Sequence, residues 1–174
     1  MKTEALEVLK NRRSIRKFKP EQVSSELLDI ILEAGTYAPT GMNTQSPTIV
    51  AVQNAEDVKT LNRLNGAVMN NPDGTPYYGA PTIILVLADP NDGVGEFDAA
   101  LVGGNMLNAA YAVGLGSCWI HRSKEVFESE GGKALLKKWG LPEDLVGVCS
   151  IALGVPDCPH PEARPRKEGY IVKV

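Results

Sequence analysis

Arg12, Arg13 and Arg16, with Ser14 among them, put three guanidinium groups and a hydroxyl within five residues. Guanidinium grips a phosphate through parallel N–H bonds and serine adds a neutral donor, so the cluster suits a phosphate monoester. The same residues serve equally as a solvated basic helix end, where cations complement the helix dipole. Arg164 and Arg166, either side of Pro165, form a second basic focus. A proline between two arginines excludes a helix interior, so both are presented from extended chain. The stretch 38–47 contains Pro39, Thr40, Gly41 and Asn43 and falls between a helical pattern and a strand pattern. Its small residues and amides suit a planar polar ligand lying against backbone, although turn formers of this kind also make ordinary loops.

The segment Gly114-Leu115-Gly116-Ser117-Cys118-Trp119-Ile120-His121-Arg122 is not a dinucleotide fingerprint. Its glycines follow a helix and precede a strand, the reverse of the required context, and Trp119 stands where the third glycine belongs. Cys118, flanked by apolar residues, reads as a buried structural thiol. His121, at a strand end, is given a positional rather than a catalytic role.

The net charge of −3 is unevenly placed. Residues 1–19 carry seven Lys/Arg against Glu4 and Glu7, a local +5, and residues 160–174 carry +2, so the body between them is −10. An acidic body with two compact basic ends suits one small anion better than a polymer, which argues against nucleic acid. The longest apolar run, Ile83 to Ala88, is too short to span a bilayer. Cys118, Cys149 and Cys158 form no paired motif, and with two histidines they make no zinc pattern. An odd number of cysteines, with no apolar leader after Met1, predicts reduced thiols and a cytoplasmic location.

At 174 residues the chain is read as a single domain, 1–174, with one sizeable core. Thr3 caps a first helix through Leu6 and Leu9, and Ser24 or Ser25 caps a second with Leu27, Ile31 and Ala34 on one face. Thr48 to Val52 is a strand, and Asn54 with Asp57 opens a helix through Leu64. Residues 66–81 read as a loop that covers a site, followed by a central strand from Thr82 to Ala88. A long helix from Phe97 to Val113 carries Gly103 and Gly104 mid-helix. Each costs about 1 kcal/mol against alanine, so a close neighbour is expected there. Ser117 to Ile120 is a short strand, Glu125 to Trp139 a helix broken at Gly131-Gly132, and Leu145 to Leu153 a last strand. Tyr170 to Val174 can add an edge strand. The order predicts an α+β or three-layer α/β/α fold with a central mixed sheet.

Five of these segments, in this order, resemble the nitroreductase family: RRSIRKF at 12–18, APTGMNTQSP at 38–47, YGAPTIILV at 78–86, GLGSCWI at 114–120, and ALGVP with RPRK across 152–167. The resemblance spans nearly the whole chain. It implies an intertwined homodimer with an exchanged C-terminal tail and two FMN sites at the subunit interface. It implies electron transfer from NADH or NADPH, through flavin N5 by a ping-pong mechanism, to a nitroaromatic, quinone, flavin or related electron-poor acceptor.

In the family pattern Arg12, Arg13 and Ser14 hold the flavin phosphate and ribityl chain, while Arg16 reaches the pyrimidine side of the ring. Pro39, Thr40, Gly41 and Asn43 cover the flavin from the partner subunit. Trp119, Ile120 and His121 lie along it with backbone donors near N5, and Arg164 and Arg166 return to the phosphate. Reduced flavin is negative near N1, so Arg16 would raise its potential without acting as a nucleophile. An asparagine of the family falls at Asn70 or Asn71, and the region that carries an aromatic lid is compressed at 89–97. From a different class, a flavin-binding sensor without catalysis accounts for the same phosphate-binding residues.

Overall fold

A computed structural model describes residues 3–174; Met1 and Lys2, part of the basic N-terminal segment, lie outside the described residues. Six helices and four strands follow one another as α1 (Glu4–Asn11), α2 (Ser25–Thr36), β1 (Thr48–Val52), α3 (Ala55–Val68), β2 (Thr82–Ala88), α4 (Gly95–Ala112), β3 (Gly116–Ile120), α5 (Ser123–Glu128), α6 (Glu130–Lys138) and β4 (Val146–Gly154). The caps are local chemistry. Thr3, Ser24 and Asn54 each accept a backbone N–H of the first turn, satisfying donors that a helix cannot satisfy itself.

The sheet order is β1-β2-β4-β3. β2, β-branched and apolar, is buried along its whole length between β1 and β4. All three strand pairs are antiparallel, so the expected mixed sheet is corrected at its centre. Among the described residues the parallel contact is an isolated bridge, Ser14 to Ser117, on the free edge of β3. Apolar runs announce buried strands but not their direction, which is why the sequence pattern could not separate these cases.

Three layers result. On one face α2 and α4 pack over Ile84, Val86, Ile151 and Leu153; on the other α3, α5 and α6 pack over Ile83, Leu85, Leu87 and Ala152. The helical stretch after residue 122 breaks at Ser129 rather than at the two glycines, which fall in the first turn of α6. Ser129 turns extended and its hydroxyl accepts from Gly132 N at 3.1 Å, ending α5 and capping α6. After β4 the chain runs back along the N-terminal segment: Asp157 N donates to Lys17 O, Lys17 pairs with Asp157, and His160 bonds the Asn11 carbonyl. Beyond that point the tail is exposed, and Tyr170 to Val174 forms no edge strand within this chain.

Candidate functional site

The first half of the site is built where α1 ends. Arg12 is the C-cap of α1, and the chain then turns extended to lay Ser14 beside Ser117 on β3, with Ile15 N donating to Ser117 O at 3.0 Å. Close approach is possible because position 116 is glycine: a Cβ there would lie 2.9 Å from Ile15. The Arg13 guanidinium turns back to the Lys10 and Arg12 carbonyls, at 2.8 and 2.6 Å, so its donors tie down the end of α1. Arg16 is exposed and stands 5.9 Å over the ring of Tyr78, a cation–π contact between the N-terminal segment and the 69–81 loop.

The second half lies at the other end of α4. Gly41 N donates to the Asp98 carboxylate at 2.8 Å, and Thr40 Oγ1 accepts from Gln45 N. Asn43 accepts from the Gln45 side chain, while Pro39 is exposed. Asp92 anchors the loop, accepting from Ser46 at 2.5 Å, and these bonds hold its carboxyl below the ordinary value. Met42, Asn43 and Gln45 all adopt left-handed backbone, uncommon for residues other than glycine, and such strain collects at functional loops. From Asp98 to Ala112, the end of α4, is fourteen residues, roughly 21 Å of helix rise. One chain therefore does not bring Pro39, Thr40, Gly41 and Asn43 to Arg12, Ser14 and Arg16.

Between these halves runs β3. Trp119 faces α4, Ile120 is buried on the opposite face, and His121 emerges at the strand end. His121 lines an open cleft of about 490 Å³ with Phe97, Arg122, Lys124 and Val148 among its walls. Phe97, the aromatic within 89–97, is exposed on the first turn of α4. Arg164 and Arg166 sit in the exposed tail, where Arg166 donates to the Arg164 carbonyl rather than reaching the N-terminal arginines. Asn70 and Asn71 are exposed in the turn that ends α3.

Sequence reading missed three participants. Tyr78 lies under Arg16. Ser117 is buried next to Ser14 with its hydroxyl unpartnered, as is Arg13 Nε. Asn65 is buried behind His121 and Arg122 and bonds to both. An unpaired buried polar atom costs about 1–3 kcal/mol, so its retention beside Ser14 marks a place where polar capacity is needed. With Arg12, Ser14 and Arg16, the residues at this sheet edge fit a ligand carrying a phosphate and a polyol. Among the described residues no cluster of His, Cys, Asp or Glu could hold a metal, and no helix is long and apolar enough to cross a membrane.

Comparison with known proteins identifies the fold. A nitroreductase with bound FMN from Bacteroides fragilis superposes with a TM-score of 0.90 at 32% identity, covering 99% of this chain and 100% of that one. A second nitroreductase with bound FMN, from Desulfitobacterium hafniense, gives 0.88 at 30% identity with both chains covered in full. An archaeal protein of Methanothermobacter thermautotrophicus, provisionally named NADH dehydrogenase/NAD(P)H nitroreductase, is 30% identical over 159 residues, 89% of this chain and 78% of its own. The model of the nitroreductase family matches residues 9–155, from the end of α1 through β4, and stops before the tail that carries Arg164 and Arg166. This chain belongs to the nitroreductase family.

Proposed function

We propose that this chain is an FMN-dependent oxidoreductase that takes electrons from NADH or NADPH and delivers them to an electron-poor small molecule, working as a homodimer. The observation that carries the reading is the separation of its two site halves by the length of α4. A two-fold pairing across α4 brings the N-terminal end of one α4 beside the C-terminal end of the other, as an isologous contact requires. Each cofactor site would then join Arg12, Ser14 and Arg16 of one copy to the 39–43 loop of the other.

The face needed for that pairing is open. Gly104 has nothing within 4 Å of where a Cβ would sit, Leu101 is exposed, and an apolar groove runs between α1 and α4 along Ala5, Val8, Leu9 and Ala109. Tyr170, Ile171 and Val172 leave the body exposed, suited to lie on the second copy and carry Arg164 and Arg166 back toward the phosphate.

FMN, when bound, supplies the hydride chemistry, accepting from the nicotinamide and giving to the acceptor in turn. The chain's residues bind and orient. Arg12 and Ser14 hold the phosphate, and Arg16, braced on Tyr78, places positive charge where the reduced ring is negative. The 490 Å³ cleft beside His121 is within the size range of small-molecule sites.

Purified protein is expected to be yellow or to become so on reconstitution with FMN, and to elute as a dimer. Anaerobic mixing with NADH or NADPH should bleach it within seconds. A protein that stays colourless after reconstitution overturns the reading; one that binds FMN without bleaching is a sensor. Arg16→Leu should leave FMN bound and lower its midpoint potential.

A further inference from the structure

Asn65 on α3 is completely buried, and its side chain bonds to residues outside its own helix, two of them more than fifty positions away. Its amide donates to the His121 carbonyl at 3.0 Å, and its Oδ1 accepts from Arg122 Nε at 3.0 Å. The same amide lies 3.4 Å from the Tyr77 hydroxyl, which donates to Ser150 Oγ at 3.2 Å; Ser150 in turn meets Ser123 Oγ at 2.7 Å. Ser150 is the register partner of Ile120. Four buried polar side chains, from α3, the 69–81 loop, β4 and α5, thus converge behind residues 120–123.

Such a network is a poor way to gain stability. Apolar residues of similar volume would hold α3 against the sheet as well, without the penalty of any bond left unmade. What it fixes is visible in the backbone. Arg122 has a φ of 75°, a left-handed conformation that disfavours a side chain of its size. Asn65 grips the carbonyl before Arg122 and the side chain of Arg122 itself, so it clamps that residue from both sides.

We infer that Asn65 is a positioning residue: through the His121 carbonyl and the Arg122 side chain it holds Arg122 left-handed and so sets the His121–Arg122 peptide at the cofactor edge of β3. The inference rests on the proposed flavin site for its consequence, but not for its geometry. Tyr77, Ser150 and Ser123 secure Asn65 and the strand end in place; they do not themselves grip the peptide.

Amide hydrogen exchange in the FMN-free and FMN-loaded dimer tests it, together with anaerobic reduction by NADH. Asn65→Leu, which keeps volume, should speed exchange at 121–123 by about tenfold beyond any change elsewhere in the sheet. It should slow reduction of the bound flavin by up to about a hundredfold. Adding Arg122→Gly, which adopts a positive φ without a Cβ penalty, should restore most of both losses. Tyr77→Phe should lower the melting temperature with little selective exchange at 121–123. If Asn65→Leu does not fold, Asn65→Asp reads the same exchange, since it keeps an acceptor for Arg122 and loses the donor for the His121 carbonyl. Exchange at 121–123 that rises no more than in the rest of the sheet, or a loss that Arg122→Gly leaves untouched, overturns the inference. Failure to bind FMN overturns the flavin reading alone, because exchange in the FMN-free protein still tests the clamp.

Discussion

Against the α4 face of the sheet lie Ile84, Val86, Met106, Ala110, Ile151 and Leu153, with buried polar groups few and at its margins, at Thr82, Asp98 and Ser117. Against the opposite face Leu61, Leu85, Phe127 and Leu136 share the core with Asp57, Asn65, Tyr77, Ser123 and Ser150. The same strands serve both, so the difference comes from what packs on them. The α4 face is shaped to bring a helix, and on the proposed reading a second subunit, close to the sheet. The α3 face carries hydrogen-bonded wiring to the end of β3. Close packing tolerates neither lost nor added volume, whereas the polar face should respond to charge and hydrogen-bond changes at nearly constant volume.

The largest effects are expected on the α4 face. Ile84→Ala empties a fully buried site and should destabilise by about 2–5 kcal/mol in denaturant titration. Gly103→Ala adds a methyl 2.7 Å from Cys149 Sγ and 3.0 Å from Trp119, and should lose about 1–3 kcal/mol by overpacking. Gly104→Ala, one residue on, meets open space within its own chain and should gain up to about 1 kcal/mol from helix propensity alone. A loss at Gly104 that deepens with protein concentration would place a second copy on that face and sharpen the contrast.

On the polar face Asp57 accepts from Lys138 Nζ at 2.5 Å and from Trp139 Nε1 at 3.1 Å. The Lys138 bond, then the Trp139 bond, hold its carboxyl below the ordinary 3.8 against the opposing effect of burial. A depressed folded value means the ionised form is favoured in the native state. The stabilisation is therefore present above the unfolded value, near pH 4, and is lost as pH falls through the lower folded value. Asp57→Asn should cost about 1 kcal/mol at neutral pH, a modest figure because Lys138 is more than half exposed. The gap from the parent should narrow below pH 4; a gap that stays constant with pH would mean that packing, not charge, is what Asp57 supplies.

Much of the element pattern was legible in sequence because it is written in local patterns. The strands Thr48–Val52 and Thr82–Ala88 begin and end where β-branched runs do, and Ser24 and Asn54 cap as their types demand. The arginine cluster was legible as chemistry. The distance between residues 12–16 and residues 39–43 within one chain was not, since nothing local says that α4 separates them. Strand direction, the break at Ser129 and the reach of Asn65 to Arg122 are also long-range facts, decided by which element packs on which. The bend of the Arg13 guanidinium back onto the Lys10 carbonyl shows that a charge motif can be partly taken up by a helix end.

The smallest expected effect separates the two faces most finely. Cys149 is buried toward α4 and burial pushes its thiol up to about 12, so at pH 8 roughly one in ten thousand is the reactive thiolate. Cys118 is buried on the polar face, and Cys158 is half-buried in the small cleft lined by Arg13, Tyr111 and His160. A thiol reagent at pH 8 should therefore modify one cysteine, Cys158, in the native protein, with the other two reacting as the sheet opens. If both faces unfold as a unit, Cys118 and Cys149 should appear together across a denaturant series, because opening removes the burial that raises Cys149. Earlier release of Cys118 would mean that the hydrogen-bonded face opens on its own, and that the device holding the end of β3 lies in the less stable half of the core.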